Sequence, residues 1–143
     1  LDVDCMQIIK AKEEKCSYLA GSHEALQRLS VLKNPKHILT NGDPRAQKYK
    51  AEIQDFLKFF DSIFYSMHAG YPKEQKEFWA LARHNLNLDF EDAIFIDDDF
   101  KVVTAAVKAG IKQVIWITPG KKRILQNGIG TFPSLKDLVA AIT

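Results

Sequence analysis

Short unbroken apolar runs alternate along this chain with longer segments in which apolar residues recur at helical spacing. Brief apolar runs bounded by polar turns predict strands buried on both faces, and recurrence every three to four residues predicts helices with one core-facing stripe. The clearest run is Ala93-Ile94-Phe95-Ile96, which leads directly into Asp97-Asp98-Asp99. Residues 101–110 then predict a short helix closed by Gly110. Residues 111–117 predict a second buried strand.

Upstream, residues 1–17 are rich in Lys and Glu and predict a helix whose apolar face, Met6, Ile8 and Ile9, is imperfect. Ser22 is expected to cap a second helix with Leu26, Leu29 and Leu32 as its stripe, ended by Asn34-Pro35. Residues 36–42 predict a short strand that stops at Thr40-Asn41-Gly42. Asp43-Pro44 has the form of an N-cap followed by Pro in the first helical turn, and Tyr49, Ile53, Phe56 and Leu57 continue that helix. Residues 61–66 predict another strand, 68–72 a loop, and 73–86 a helix with Phe78, Leu81 and Ala82 inward. After Thr118-Pro119-Gly120 comes a polar loop with two glycines. Ser134, with Asp137 three positions on, then opens a last helix bearing Leu135, Leu138, Val139 and Ile142. The alternation predicts an α/β fold: a parallel sheet flanked by helices, its four strands ending at Thr40, Ser66, Asp97 and Ile117.

Composition adds bounds. A chain of 143 residues fits one domain with a real core. Hydrophobic content of 46% and charged content of 27% are ordinary for a globular protein. A net charge of +2 does not indicate a polyanion partner, and the short Lys121-Lys122-Arg123 cluster predicts a solvated loop instead of a nucleic-acid patch. Cys5 and Cys16 match neither a zinc spacing nor a redox pair, so free thiols in a reducing cytoplasm are expected. No apolar run is long enough for a membrane span, and no signal peptide is visible.

The chemistry gathers at predicted strand ends. Three consecutive carboxylates repel one another and call for a compensating hard cation, most simply Mg²⁺; the competing view is an acidic turn that only caps the next helix. The Thr40 hydroxyl beside the Asn41-Gly42 turn could cradle a phosphoryl oxygen, or could cap its own turn. Lys73, placed at a predicted helix start, is out of keeping with the helix dipole unless an anion faces it; the competing view is an ordinary solvated lysine. A hydroxyl, a lysine and a carboxylate pair at parallel strand ends are parts that phosphoryl transfer uses.

These stretches resemble motifs of the haloacid dehalogenase (HAD) superfamily. Ile38-Leu39-Thr40-Asn41-Gly42 resembles its second motif and Tyr71-Pro72-Lys73-Glu74 its third. Phe95-Ile96-Asp97-Asp98, followed by Ala105-Ala106 and Ala109-Gly110, resembles its fourth, magnesium-binding motif. The ordered set covers residues 21–142. The Gly70-to-Glu74 form, with Phe78-Trp79 after it, is most similar to bacterial GMP/IMP-type 5′-nucleotidases. The resemblance implies a Mg²⁺-dependent phosphatase acting on a small phosphorylated substrate, with a nucleoside 5′-monophosphate as the candidate. It implies that Thr40 and Lys73 are catalytic, that Thr40, Asn41, Gly42 and Lys73 bind substrate, and that Asp97 and Asp98 hold the metal. Asp99 stands where the family often has Ser, and Val102 where many members have a further Asp or Asn. Trp79 is expected to be core or interface packing.

The family's first motif is a buried strand ending in Asp-x-Asp-x-Thr, whose first Asp is the nucleophile. This chain opens Leu1-Asp2-Val3-Asp4-Cys5-Met6. One apolar residue precedes the acids, Met6 replaces the Thr, and a helical Lys/Glu run follows. The expectation is an acidic helix start: residues 1–17 a remnant of a helical cap, residues 18–143 the HAD-like core, and the first central strand missing. Such a chain alone would turn over little substrate. The alternative is a catalytically inactive HAD-like binding or assembly module. Whether the missing strand comes from an N-terminal segment or a second subunit is left open.

Overall fold

Short β-branched and aromatic runs form the strands, and the amphipathic segments between them form the helices that cover the sheets. The computed structural model describes residues 2–120, 124–126 and 128–143, and the side chains of 2–5 and 124–126 lie outside that description. In chain order the elements are α1 (Asp2–Glu13), α2 (Ser22–Ser30), β1 (His37–Thr40), α3 (Pro44–Gln54), a 3-10 turn (Leu57–Phe59), β2 (Ser62–Tyr65) and α4 (Ser66–Ala69). There follow α5 (Lys76–Leu86), β3 (Ile94–Asp97), α6 (Phe100–Ala109), β4 (Gln113–Ile117), β5 (Ile124–Gln126), β6 (Ile129–Phe132) and α7 (Leu135–Ile142). The cluster Lys121-Lys122-Arg123 lies outside the described residues, as does the side chain of Cys5. Cys16 is a free thiol. Among the described residues no helix is long and apolar enough to cross a membrane.

The strands form two sheets. β1 pairs in parallel with β2, and β3, β4 and β6 are parallel neighbours with β5 antiparallel on the outer edge. Among the described strands, β1 and β3 are both edges facing no partner on one side. Ile94, the first residue of β3, is 47% exposed. One core nevertheless serves both sheets. Phe78, Trp79, Phe90, Phe95, Val102, Val103 and Val114 are buried together, and Leu39 of β1 and Phe64 of β2 pack against them. T-shaped contacts of Trp79 with Phe78 and with Phe95 fill its centre.

Several elements differ from expectation, for local reasons. The second helix starts at Ser22 with Gly21 as its N-cap at φ 74°, so Ser22 is not the cap, and the helix ends at Ser30, ahead of Asn34-Pro35. Leu32 is 38% exposed; the residue α2 buries is Ala25. Helix α3 has the expected cap, Asp43 Oδ1 accepting from the Arg45 amide at 2.8 Å, but it stops at Gln54, and Phe59, not Ile53 or Leu57, is buried. Residues 66–69 form the single turn α4, so the strand before it ends at Tyr65 instead of Ser66, and His68 and Ala69, expected as loop, are helical. Helix α5 begins at Lys76, so Lys73 lies in the turn before it. The polar loop with two glycines contains the hairpin β5–β6. There Gly128 and Gly130 interrupt the apolar pattern, yet Thr131 and Phe132 are buried. Gly110 closes α6 at φ 103°, and Ser134 with Asp137 forms the expected cap of α7. Ile142 is 47% exposed and does not join the stripe of Leu138 and Val139.

Candidate active site

The registers Thr40↔Tyr65 and Asp97↔Trp116 put the carboxyl ends of β1 and β2, and of β3 and β4, at one level within each sheet. Ligand sites of open parallel sheets lie beyond such ends. Side-chain bonds then draw the two ends together.

Lys73 Nζ donates to Asp97 Oδ2 at 2.6 Å, and the two side chains are 11% and 9% exposed. This pair supplies the anion that the lysine required, although the residue sits in a turn and not at a helix start. The Lys73 main chain is held on both sides. Its N–H donates to Asn41 Oδ1 at 2.9 Å, and its carbonyl accepts from the buried Trp79 indole at 2.7 Å. The Asn41 amide also donates to Glu74 Oε2 at 3.0 Å. Asn41 therefore fastens the end of β1 to the lysine turn with both ends of its side chain.

The three acids have three different situations. Asp97 accepts from Lys73 through Oδ2 and from the Asp99 amide through Oδ1, at 2.9 Å. Asp99 is the N-cap of α6, accepting from the Lys101 amide at 2.8 Å, so the capping view holds for this residue. Asp98 is exposed, and among the described residues its carboxylate has no ion pair. Its carbonyl accepts from the Trp116 indole at 3.0 Å. Val102 is buried in the core at 1% exposure.

Thr40 Oγ1 accepts from the Gly42 amide at 2.9 Å, the local turn weighed above. That bond uses an acceptor site of the hydroxyl and leaves its proton for another acceptor. Gly42 has no left-handed φ; a Cβ there would press into the Gln47 side chain.

Asp97 and Asp98 offer hard oxygen donors with lone pairs to spare. Among the described residues no group of three or more His, Cys, Asp and Glu side chains is placed to hold a metal. Two carboxylates without a closed cage fit a magnesium-sized ion that keeps most of its water and shares its remaining positions with phosphate. Hydrogen bonds join Asn41, Lys73 and Asp97; Thr40 and Gly42 flank Asn41 in the turn after β1, and Asp98 follows Asp97 in the chain. The hydrogen bonds of Trp79 and Trp116 had no signature in the sequence, because bonds to main-chain carbonyls across the fold follow no spacing rule; Glu74 stood in the third motif, without its bond to Asn41 being readable there.

Comparison with known proteins identifies the family of the chain and shared folds. A family model described as haloacid dehalogenase-like hydrolase matches residues 5–110. The GMP/IMP nucleotidase YrfG of Escherichia coli (strain K12) is 28% identical over 112 residues, 78% of this chain and 50% of that protein. Enolase-phosphatase E1 of Komagataella phaffii is 30% identical over 104 residues, 68% of this chain and 44% of that protein. The chain thus spans about half the length of the curated relatives it matches. The fold is shared with the HAD-hydrolase YfnB from Bacillus subtilis bound to magnesium, at TM-score 0.79 and 20% identity, over 92% of this chain and 58% of that one. With a family model over most of its length and this strand-end arrangement, the chain belongs to the haloacid dehalogenase-like hydrolases.

Proposed function

We propose that this chain carries the phosphate and metal side of a magnesium-dependent phosphatase that hydrolyses a small phosphate monoester, with a nucleoside 5′-monophosphate as the substrate class to test first. The observation that carries the reading is the buried Lys73–Asp97 pair, fastened through Asn41 to the Thr40 turn. It concentrates fixed donors and one cation where a phosphoryl group could lie. Thr40 would donate its hydroxyl proton to a phosphoryl oxygen, since its acceptor site is used by Gly42. Lys73 would offset the charge of phosphate and attacking carboxylate. Asp97 and Asp98 would hold Mg²⁺, which when bound neutralises phosphoryl charge. The relatives named above support the reaction class, and YrfG supports the substrate class.

The attacking carboxylate belongs to the same proposal. Asp2 and Asp4 lie in helix α1 and not at a strand end, and the reading takes the attacking carboxylate to enter beside the unpaired edges of β1 and β3. Residues 1–17 would then be the end of a helical cap and residues 18–143 the core. A second reading, a catalytically inactive binding module, is favoured by one observation: Val102 is buried core where a further acid would serve the metal.

The complete reading frame of the encoding gene decides between them. An in-frame apolar strand ending in Asp-x-Asp-x-Thr upstream of Leu1 supports the phosphatase, and a start codon at Leu1 supports the module. The full-length protein, assayed for Mg²⁺-dependent release of phosphate from GMP, IMP and p-nitrophenyl phosphate, should lose at least 100-fold activity on Asp98→Asn (roughly, for a lost charge-stabilising group). Undiminished activity in that variant overturns the assignment.

A further inference from the structure

The chain contains two tryptophans, far apart in sequence and in different elements. Each donates its indole N–H to the main-chain carbonyl of a charged site residue: Trp79 to Lys73 at 2.7 Å, and Trp116 to Asp98 at 3.0 Å. We infer that both indoles are positioning groups for the site, Trp79 setting the turn that presents Lys73 and Trp116 setting the peptide that presents Asp98. The inference rests on the phosphatase reading for what the positioned groups do, and on the hydrogen bonds for the positioning itself.

The argument is strongest at Trp116. The carbonyl of Asp98 and the N–H of Asp99 belong to one peptide unit. That unit is held at its oxygen by Trp116 and at its hydrogen by Asp97 Oδ1, 2.9 Å away. Fixing both ends of that peptide fixes the backbone from which the exposed Asp98 side chain projects. Asp97 is in turn oriented by Lys73, whose own N–H and carbonyl are held by Asn41 and Trp79. The two tryptophans therefore end one chain of bonds: Trp116, peptide 98–99, Asp97, Lys73, Trp79.

The pairing of β4 with β3 sets the level of the Trp116 indole. It stands opposite Asp97 in the β3–β4 register, and the ring of Phe100, 52% exposed, lies against it at 4.8 Å between centroids. Trp79 is 1% exposed, so its N–H needs a partner, and a shift of the lysine turn would leave it unpaired. An ordinary core position could take Phe at either site. The indole is needed for its donor.

The test uses ¹⁵N-labelled protein and Mg²⁺ titrated alone by calorimetry. Trp116→Phe removes the donor and keeps an aromatic ring. It is expected to weaken Mg²⁺ binding about three- to tenfold, the equivalent of one hydrogen bond. Phe100→Ala keeps the donor and is expected to stay within about twofold. If the wild type binds Mg²⁺ and Trp116→Phe binds it equally, or if Phe100→Ala loses as much as Trp116→Phe, the positioning inference is overturned while the metal assignment stands. If the wild type does not bind Mg²⁺, the metal assignment fails, and amide exchange at Asp99 decides the positioning. A rise of about tenfold in Trp116→Phe, with the later amides of α6 unchanged, supports it; an unchanged Asp99 overturns it. Because Trp79→Phe alters a buried core residue, Trp116→Phe carries the decision.

Discussion

The Lys73 ammonium lies 2.6 Å from the Asp97 carboxylate and ties the lysine turn, itself bonded to Asn41 after β1, to the end of β3; β1 and β3 are edge strands of separate sheets. Removing one member of a buried pair leaves the other uncompensated, at about 3–5 kcal/mol in closed sites. Here the edges are open, and we expect Lys73→Met to destabilise by about 2–3 kcal/mol in urea unfolding. Lys73→Met combined with Asp97→Leu should recover at least half of that. Additive losses in the double variant would show that the two charges do not act as a pair.

Much of this pair was legible before the fold. Asp97 follows a buried apolar run, and Lys73 was expected to face an anion, although the helix start that suggested it lies three residues later, at Lys76. What was not legible is the main-chain scaffolding. Asp99 has the same side chain as Asp98, and only the start of α6 makes it a cap. The β5–β6 hairpin was hidden because Gly128 and Gly130 erase the two-residue alternation, while pairing of β6 with β4 buries Thr131 and Phe132 regardless. Helix α5 starts late because Pro72 and the residues after it form a turn, closed by the Gln75 amide bonding to the Pro72 carbonyl. Thr40 was open to two readings, and the turn bond to Gly42 is compatible with both.

Val102 offers a direct check on the metal site. Its side chain is 1% exposed and belongs to the core cluster, so an acid placed there would be buried among Phe95, Val103 and Val114. We expect Val102→Asp to destabilise by at least about 3 kcal/mol, visible as loss of the cooperative thermal transition. A folded Val102→Asp protein with tighter Mg²⁺ binding would mean that the side chain reaches the acidic turn.

Two glycines should respond oppositely to Ala. Gly42 has ordinary φ, and its neighbour is the flexible Gln47 side chain, which can move aside. Gly42→Ala should change stability by under about 0.5 kcal/mol. Gly110 ends α6 at φ 103°, in open space. An alanine there meets no neighbour yet adopts a strained backbone, and the expected loss is about 1–2 kcal/mol. Equal losses at the two positions in denaturant unfolding would contradict this account of Gly110.

The cap of α3 predicts a pH dependence with a definite sign. Asp43 is held below its ordinary value of 3.8, first by the Arg45 side chain and then by the Arg45 amide. The folded state therefore releases this proton more readily than the unfolded chain. The stabilisation is complete above 3.8 and is lost as pH falls through the lowered folded value. At neutral pH, Asp43→Ala should cost about 1 kcal/mol as a lost N-cap. The difference between wild type and variant should shrink as urea unfolding is carried from pH 5 towards pH 2.5 (roughly the span over which a lowered carboxylate titrates). Asp43→Asn, which caps without a charge, should show no such decline. A wild-type advantage over Asp43→Ala that is unchanged across this range would place the stabilisation in contacts other than the ionised cap.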